Sequence, residues 1–145
     1  MRKIQDIPLN ELLPQRPPFV MIDRLLMAEG LSCVTELLVK NENVFVENGS
    51  MTAAGLVENI AQSAAAHIGY LSIDKGDAVK IGVIGAISNL SIARTPIVGE
   101  IIKTTVNRLE EAFNITLIEA VVSCGDTVIA NAKMKIALTD IDSKE

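Results

Sequence analysis

Thr52-Ala53-Ala54-Gly55-Leu56-Val57-Glu58-Asn59-Ile60-Ala61-Gln62-Ser63-Ala64-Ala65-Ala66-His67-Ile68-Gly69-Tyr70-Leu71-Ser72 holds no proline, spaces its β-branched residues widely and is rich in alanine. Those residues lose little on entering a helix, so the stretch reads as one long α-helix, with Thr52 or Ser50 as its cap. Apolar side chains cover most of its circumference, and a helix apolar nearly all round is enclosed by other structure. Five polar residues interrupt it: Glu58, Asn59, Gln62, Ser63 and His67. At about 100° per residue, Glu58 and Gln62 fall roughly 40° apart on one face, while His67 lies about 180° from Glu58.

The flanks have a different period. Residues 20–28 and 31–40 read as two strands about Glu29-Gly30, and 79–92, 100–109, 114–124 and 128–138 as four more. Thr95-Pro96, Glu110-Glu111-Ala112 and Gly125-Asp126 separate the last four. Gly82 and Gly85, inside a strand pattern, point to a bulge or a close approach. A short helix is expected over Ile7–Leu13, with Asp6 as cap and Pro8 at its first position, ended by Pro14 and Pro17-Pro18. Residues 41–52 have the composition of a loop. The fold expected is α+β: an antiparallel sheet of five or six strands wrapped around one long central helix.

The chain has 145 residues, the length of one domain spanning 1–145. No apolar run approaches the roughly 20 residues of a membrane-spanning helix. The start, Met1-Arg2-Lys3-Ile4-Gln5-Asp6, lacks the apolar core of a secretory signal, so the compartment expected is the cytoplasm. Cys33 and Cys124 stand far apart outside any ligand-like spacing, which fits reduced thiols and no metal site. With 13 basic and 18 acidic residues the net charge is −5, and there is no basic block, so nucleic acid is not expected as a partner.

Three stretches resemble the hotdog-fold 3-hydroxyacyl-carrier-protein dehydratases of the FabZ type, and their order in the chain matches too. Leu13-Pro14-Gln15-Arg16-Pro17-Pro18-Phe19-Val20-Met21-Ile22-Asp23-Arg24 is similar to that family's opening pattern. Gly55-Leu56-Val57-Glu58-Asn59-Ile60-Ala61-Gln62 resembles the start of its central helix, where a carboxylate precedes Gln by four places. Arg94-Thr95-Pro96-Ile97-Val98-Gly99-Glu100 is similar to its Val-Pro-Gly-Asp run into a strand. The helix segment also resembles the ApeP-like dehydratases of aryl polyene and flexirubin clusters.

The resemblance implies one hotdog domain acting on, or binding, acyl thioesters of an acyl carrier protein and its phosphopantetheine arm, without cofactor or metal, in fatty-acid or polyene-type synthesis. Dehydration needs a base for the α-proton, an acid for the departing hydroxyl and donors for the enolate oxygen. Glu58 matches the family's helix carboxylate and is the catalytic candidate. Both histidines of the family pattern are replaced: an ungapped count from Glu58 places Val44 at the catalytic one, and Gln15 takes the other. Gln62, Asn43, Asn48 and Gly55 are the substrate-side candidates, Gln62 as a hydrogen-bond organiser of the Glu58 stripe more than as a catalyst, with Asn43 or Asn48 able to hold a water that serves as base. Arg16, Arg24, Lys80 and Arg94 are candidates for a basic patch that receives the carrier, although surface pairing with acids is their default. His67 is not nominated as base because it lies across the helix. The family dimerises with sites between subunits, so this chain is expected in a homodimer, or in a heterodimer whose partner supplies the histidine. A half-site or non-catalytic subunit, a hotdog thioesterase and a simple acyl-binding module are the alternatives.

Overall fold

A computed structural model describes residues 3–75 and 80–140. A 3-10 turn (Ile4–Asp6) and α1 (Leu9–Leu12) lead to β1 (Arg24–Glu29) and β2 (Ser32–Leu38). A small hairpin follows, β3 (Val46–Glu47) and β4 (Ser50–Met51), then α2 (Ala53–Lys75) and the strands β5 (Lys80–Ile92), β6 (Ile101–Ala112), β7 (Ile115–Cys124) and β8 (Thr127–Asp140). The six long strands form one antiparallel sheet in the order β1-β2-β6-β7-β8-β5.

The sheet curls over α2 because alternate residues of its strands are apolar and face inward. Cys33 and Leu37 of β2, Ile102 and Val106 of β6, Ile118, Ala120 and Val122 of β7, and Met134 and Ile136 of β8 are all buried with Leu56, Ile60 and Ala64 of the helix. Thr52 caps α2: its carbonyl accepts the N–H groups of Gly55 (3.0 Å) and Leu56 (3.3 Å). At Gly69 the backbone carbonyl of Leu12 occupies the place a Cβ would take, so only glycine lets α1 cross the helix there.

Four expectations need correction. The short helix starts at Leu9, with Pro8 as its N-cap and no side-chain cap, because residues 4–6 form the 3-10 turn instead. Residues 20–23 lie outside the strands: the N–H of Met21 goes to Gln62 and its carbonyl to Asn59, which removes both from any ladder. The segment 41–52 holds the β3–β4 hairpin, turned by Asn48 (φ 53°) and Gly49 (φ 79°). The β6–β7 turn falls at Phe113 (φ 58°), so Glu110-Glu111-Ala112 complete β6. Gly85 does mark a bulge, between Ile84 and Ala86, whereas Gly82 pairs in register with Leu138; the expected strand position Val79 and the side chain of Lys80 lie outside the described residues. Among the described residues no helix is long and apolar enough to cross a membrane.

Candidate active site

Glu58 stands half-buried in the second turn of α2, and its Oε1 accepts a hydrogen bond from Nε2 of Gln62 at 2.9 Å. The four-residue interval puts both on one helix face, as the sequence spacing requires. Gln62 is itself fixed from outside the helix. Its Oε1 accepts the N–H of Met21 (2.7 Å), and Nε2 donates also to the Phe19 carbonyl (2.9 Å). Both amide hydrogens of Gln62 are therefore committed within the chain, to the strap of residues 19–21 and to Glu58. The expected substrate-side residue is in this structure the clamp that orients the carboxylate.

Asn59 doubles the clamp. Its Nδ2 donates to the Met21 carbonyl (2.8 Å), and its Oδ1 accepts from Thr104 Oγ1 of β6 (2.6 Å). Ser63 Oγ in turn donates to the Asn59 carbonyl (2.7 Å) and lies 2.6 Å from Thr35 Oγ1. A fully paired buried network of this kind has one geometry, since any displacement leaves a desolvated group unpaired. Asn59 was no candidate in the sequence, although a buried amide on an apolar helix is itself the signal of a structural tie.

The other candidates are placed as follows. Asn43 accepts the Phe45 N–H on Oδ1 (2.8 Å) and directs Nδ2 at the sulfur of Met21 (3.4 Å), so it adjoins the strap but closes its own turn. Asn48 is exposed at the hairpin tip. Gly55 lies under that hairpin, where a Cβ would meet Met51 Cγ and Phe45 Cβ at 2.7 Å. Val44, which the ungapped count from Glu58 sets against the family's histidine, is 46% exposed.

His67 is 1% exposed, and neither ring nitrogen has a hydrogen-bond partner. Burial, helped by the Arg108 charge and opposed by Glu111, lowers its pKa to about 4. It is a neutral core residue. Cys33 is likewise inert, its thiol pushed up to about 12 chiefly by burial. The arginines proposed for a basic patch are engaged separately. Arg94 makes a two-pronged pair with Glu100 (2.8 and 2.9 Å), Arg24 lies 3.7 Å from Glu36, and Arg16 donates from Nη1 to the carbonyls of Leu13, Pro14 and Gln15. Among the described residues no three His, Cys, Asp or Glu side chains group as metal ligands.

A carboxylate oriented by an amide can donate or accept one proton, but dehydration needs a second group, and no basic side chain among the described residues is hydrogen-bonded to Glu58. Comparison with known proteins defines the family. The chain is 27% identical over 139 residues to the 3-hydroxyacyl-[acyl-carrier-protein] dehydratase FabZ of Ruminiclostridium cellulolyticum, covering 90% of this chain and 94% of that one. It is 28% identical over 141 residues to the FabZ of Listeria welshimeri, covering 92% and 94%. Its fold matches a chain of the dehydratase heterocomplex ApeI:P from Xenorhabdus doucetiae with a TM-score of 0.87 at 16% identity, over 92% of each chain. A hypothetical thioesterase with coenzyme A from Streptococcus pneumoniae shares the fold at a TM-score of 0.64 and 11% identity, over 83% and 88%. The family model of the ApeP-like dehydratases matches residues 7–145, and this hotdog-fold chain therefore belongs to the ApeP-like family.

Proposed function

We propose that the chain is the carboxylate-bearing subunit of a 3-hydroxyacyl-carrier-protein dehydratase, paired with a second hotdog subunit that carries the base. One observation carries this reading: Glu58 is clamped by Gln62, whereas the only histidine is buried on another face with a pKa near 4. The site has an acid and lacks its base. The partner's base removes the α-proton of the 3-hydroxyacyl thioester, Glu58 protonates the leaving hydroxyl, and the products are the enoyl thioester and water. Solvent returns the base's proton to Glu58.

Two further features support a partner. Strand β5 is a sheet edge with no charged residue from Ile81 to Ile92, and it exposes Val83, Ile87 and Leu90. Uncharged long edges are open to pairing with another chain, whereas the opposite edge, β1, is short and bears Arg24 and Glu29. The ApeI:P structure, whose fold this chain shares, is a dehydratase heterocomplex. The FabZ relatives are dehydratases of carrier-bound 3-hydroxyacyl groups, which is the substrate class assigned here. Aryl polyene synthesis in the cytoplasm is the setting that fits the reading.

The test uses the purified chain alone and mixed with a histidine-bearing homologue, given a 3-hydroxyacyl thioester, with enoyl product and free thiol followed together. The expected result is enoyl formation in the mixture only, lowered about 10²–10⁴-fold by Glu58→Gln, the usual weight of one acid–base group. Equal rates for Glu58→Gln and its parent in the mixture would sink the assignment. So would full activity of the chain alone, and release of free thiol would indicate a thioesterase.

A further inference from the structure

The β6–β7 hairpin places an aromatic residue where its backbone favours glycine. Ala112 pairs with Ile115, so Phe113 and Asn114 form a two-residue loop. Its first residue has φ 58°, a conformation that glycine or asparagine takes freely and a bulky side chain only under strain. Phe113 is also fully exposed, at 105%, so its ring gains no burial within the chain that would offset the strain.

The strands behind the loop extend the feature. Thr116 and Ile118 of β7 and Ile136 of β8 are buried against the core, so Ile115, Leu117 and Lys135 stand on the outer face of the sheet. Register sets them in rows across three strands. Ala112, Ile115 and Ala137 form one row, and Glu110, Leu117 and Lys135 the next. With Phe113 as a wall, Glu110, Ala112, Ile115, Leu117 and Lys135 line a hollow of about 240 Å³. A cavity of roughly 150 Å³ already holds a benzene ring. The second row has opposite charges at its ends, held two strand spacings or roughly 10 Å apart, too far to pair with each other. Neither Glu110 nor Lys135 has an ion-pair partner among the described residues.

We propose that this end of the sheet is a contact between two copies of the chain, packed outer face to outer face about a two-fold axis running along β7. Such an axis lays each row over its own reverse, so Glu110 of one copy faces Lys135 of the other. Phe113, Ile115 and Leu117 lie on the axis and meet their equivalents, the two rings offset and each over the hollow of the opposite copy. The row beyond, Asn107, Glu119 and Lys133, then sets each Glu119 between the Lys133 side chains of both copies. A lipid surface suits the patch less, because Glu110 and Glu111 stand close to the ring in sequence and carry the wrong charge for an anionic membrane. The contact lies on the face turned away from α2 and Glu58, and it does not depend on the dehydratase reading. Combined with a partner along β5, it gives an assembly of two chains and two partners.

Sedimentation equilibrium of the whole chain, from micromolar to submillimolar concentration, tests the contact. The parent is expected to reach twice the mass of Phe113→Asn, whatever pairing β5 adds to both. Asparagine relieves the strain at this φ, so Phe113→Asn should melt no lower than the parent at low concentration. A lower melting point would mean that the ring packs within its own chain, against the proposal. Glu110→Lys sets lysine against lysine twice per dimer and should weaken association about tenfold, whereas the exchange Glu110→Lys with Lys135→Glu should restore it to within about threefold. That rescue requires the two positions to meet between copies. Ile115→Thr, exposed and suited to a strand, should also halve the mass and serves if Phe113→Asn does not fold. Equal masses for the parent and these variants would overturn the proposal, as would a charge exchange that associates no better than Glu110→Lys. Binding of the parent, but not of Phe113→Asn, to phosphatidylcholine vesicles without self-association would overturn it in favour of a lipid surface.

Discussion

Replacing His67 by Leu should remove a pH-dependent weakness from the fold. In the native chain His67 is enclosed with both ring nitrogens unpaired, and its pKa falls from 6.5 to about 4. The unfolded chain, with an ordinary histidine, then binds more protons between those limits, and stability rises with pH wherever the unfolded state binds more protons. His67 thus has no proton-linked cost above pH about 6.5; its penalty grows as pH falls below that and is complete below about pH 4. At ~1.4 kcal/mol per pKa unit the penalty reaches at most about 3 kcal/mol. Carboxylates titrate in the same range, so the quantity to measure is the stability difference between His67→Leu and the parent, by urea unfolding at steps from pH 7.5 to pH 4. The difference should be flat near neutrality and should grow in favour of the variant by about 2–3 kcal/mol at pH 4. A difference constant across that range would show that His67 protonates without cost in the folded chain. That result would remove the titration argument against it as a base and leave only its position across the helix from Glu58.

Gln62→Leu keeps the volume but leaves the buried Met21 N–H without an acceptor, and the Phe19 carbonyl and Glu58 without their donor. It should cost about 2–4 kcal/mol in urea unfolding and should lower dehydration in the two-subunit mixture; a loss below ~0.5 kcal/mol would show that the strap is held by something else. Val44→His, at a site open to solvent, should change stability by no more than ~0.5 kcal/mol. On the two-subunit reading it supplies a second base opposite the partner's carboxylate and raises the enoyl rate per complex up to about twofold, whereas a fall in rate would count against that geometry.

The parts of the fold legible in the sequence were those governed by periodicity. An apolar helix surface and period-two strands require enclosure and alternation whatever the detailed contacts, so α2 and the six long strands follow from pattern alone. What pattern missed was decided by individual hydrogen bonds. Val20-Met21-Ile22 is apolar enough to pass for strand, yet Gln62 and Asn59, some forty residues on, take its backbone groups. The β3–β4 hairpin carried an Asn48-Gly49 signal, but strands of two residues leave no period to detect. The opposition of Glu58 and His67 needed only helical geometry. The roles of Gln62 and Asn59 needed the strap in place, and the unpaired oxygen of Gln15 is a property of the packed state that no residue pattern encodes.

On the reading proposed above, the position assigned to the base shows why its replacement leaves the rest of the site whole. Asn43 closes its turn onto Phe45, Phe45 packs toward Gly55, and Thr52 both returns its N–H to the Phe45 carbonyl and caps α2. Each of these contacts is made by backbone or by neighbours of Val44, whose own side chain is largely in solvent. Under the proposed reading a histidine there would be chemically decisive and structurally optional, so exchanging it would alter reactivity without a folding penalty. Glu58 is in the contrary situation. Its orientation depends on Gln62, on the strap and, through Asn59, on β6, so the carboxylate and its clamp are assembled within this one chain.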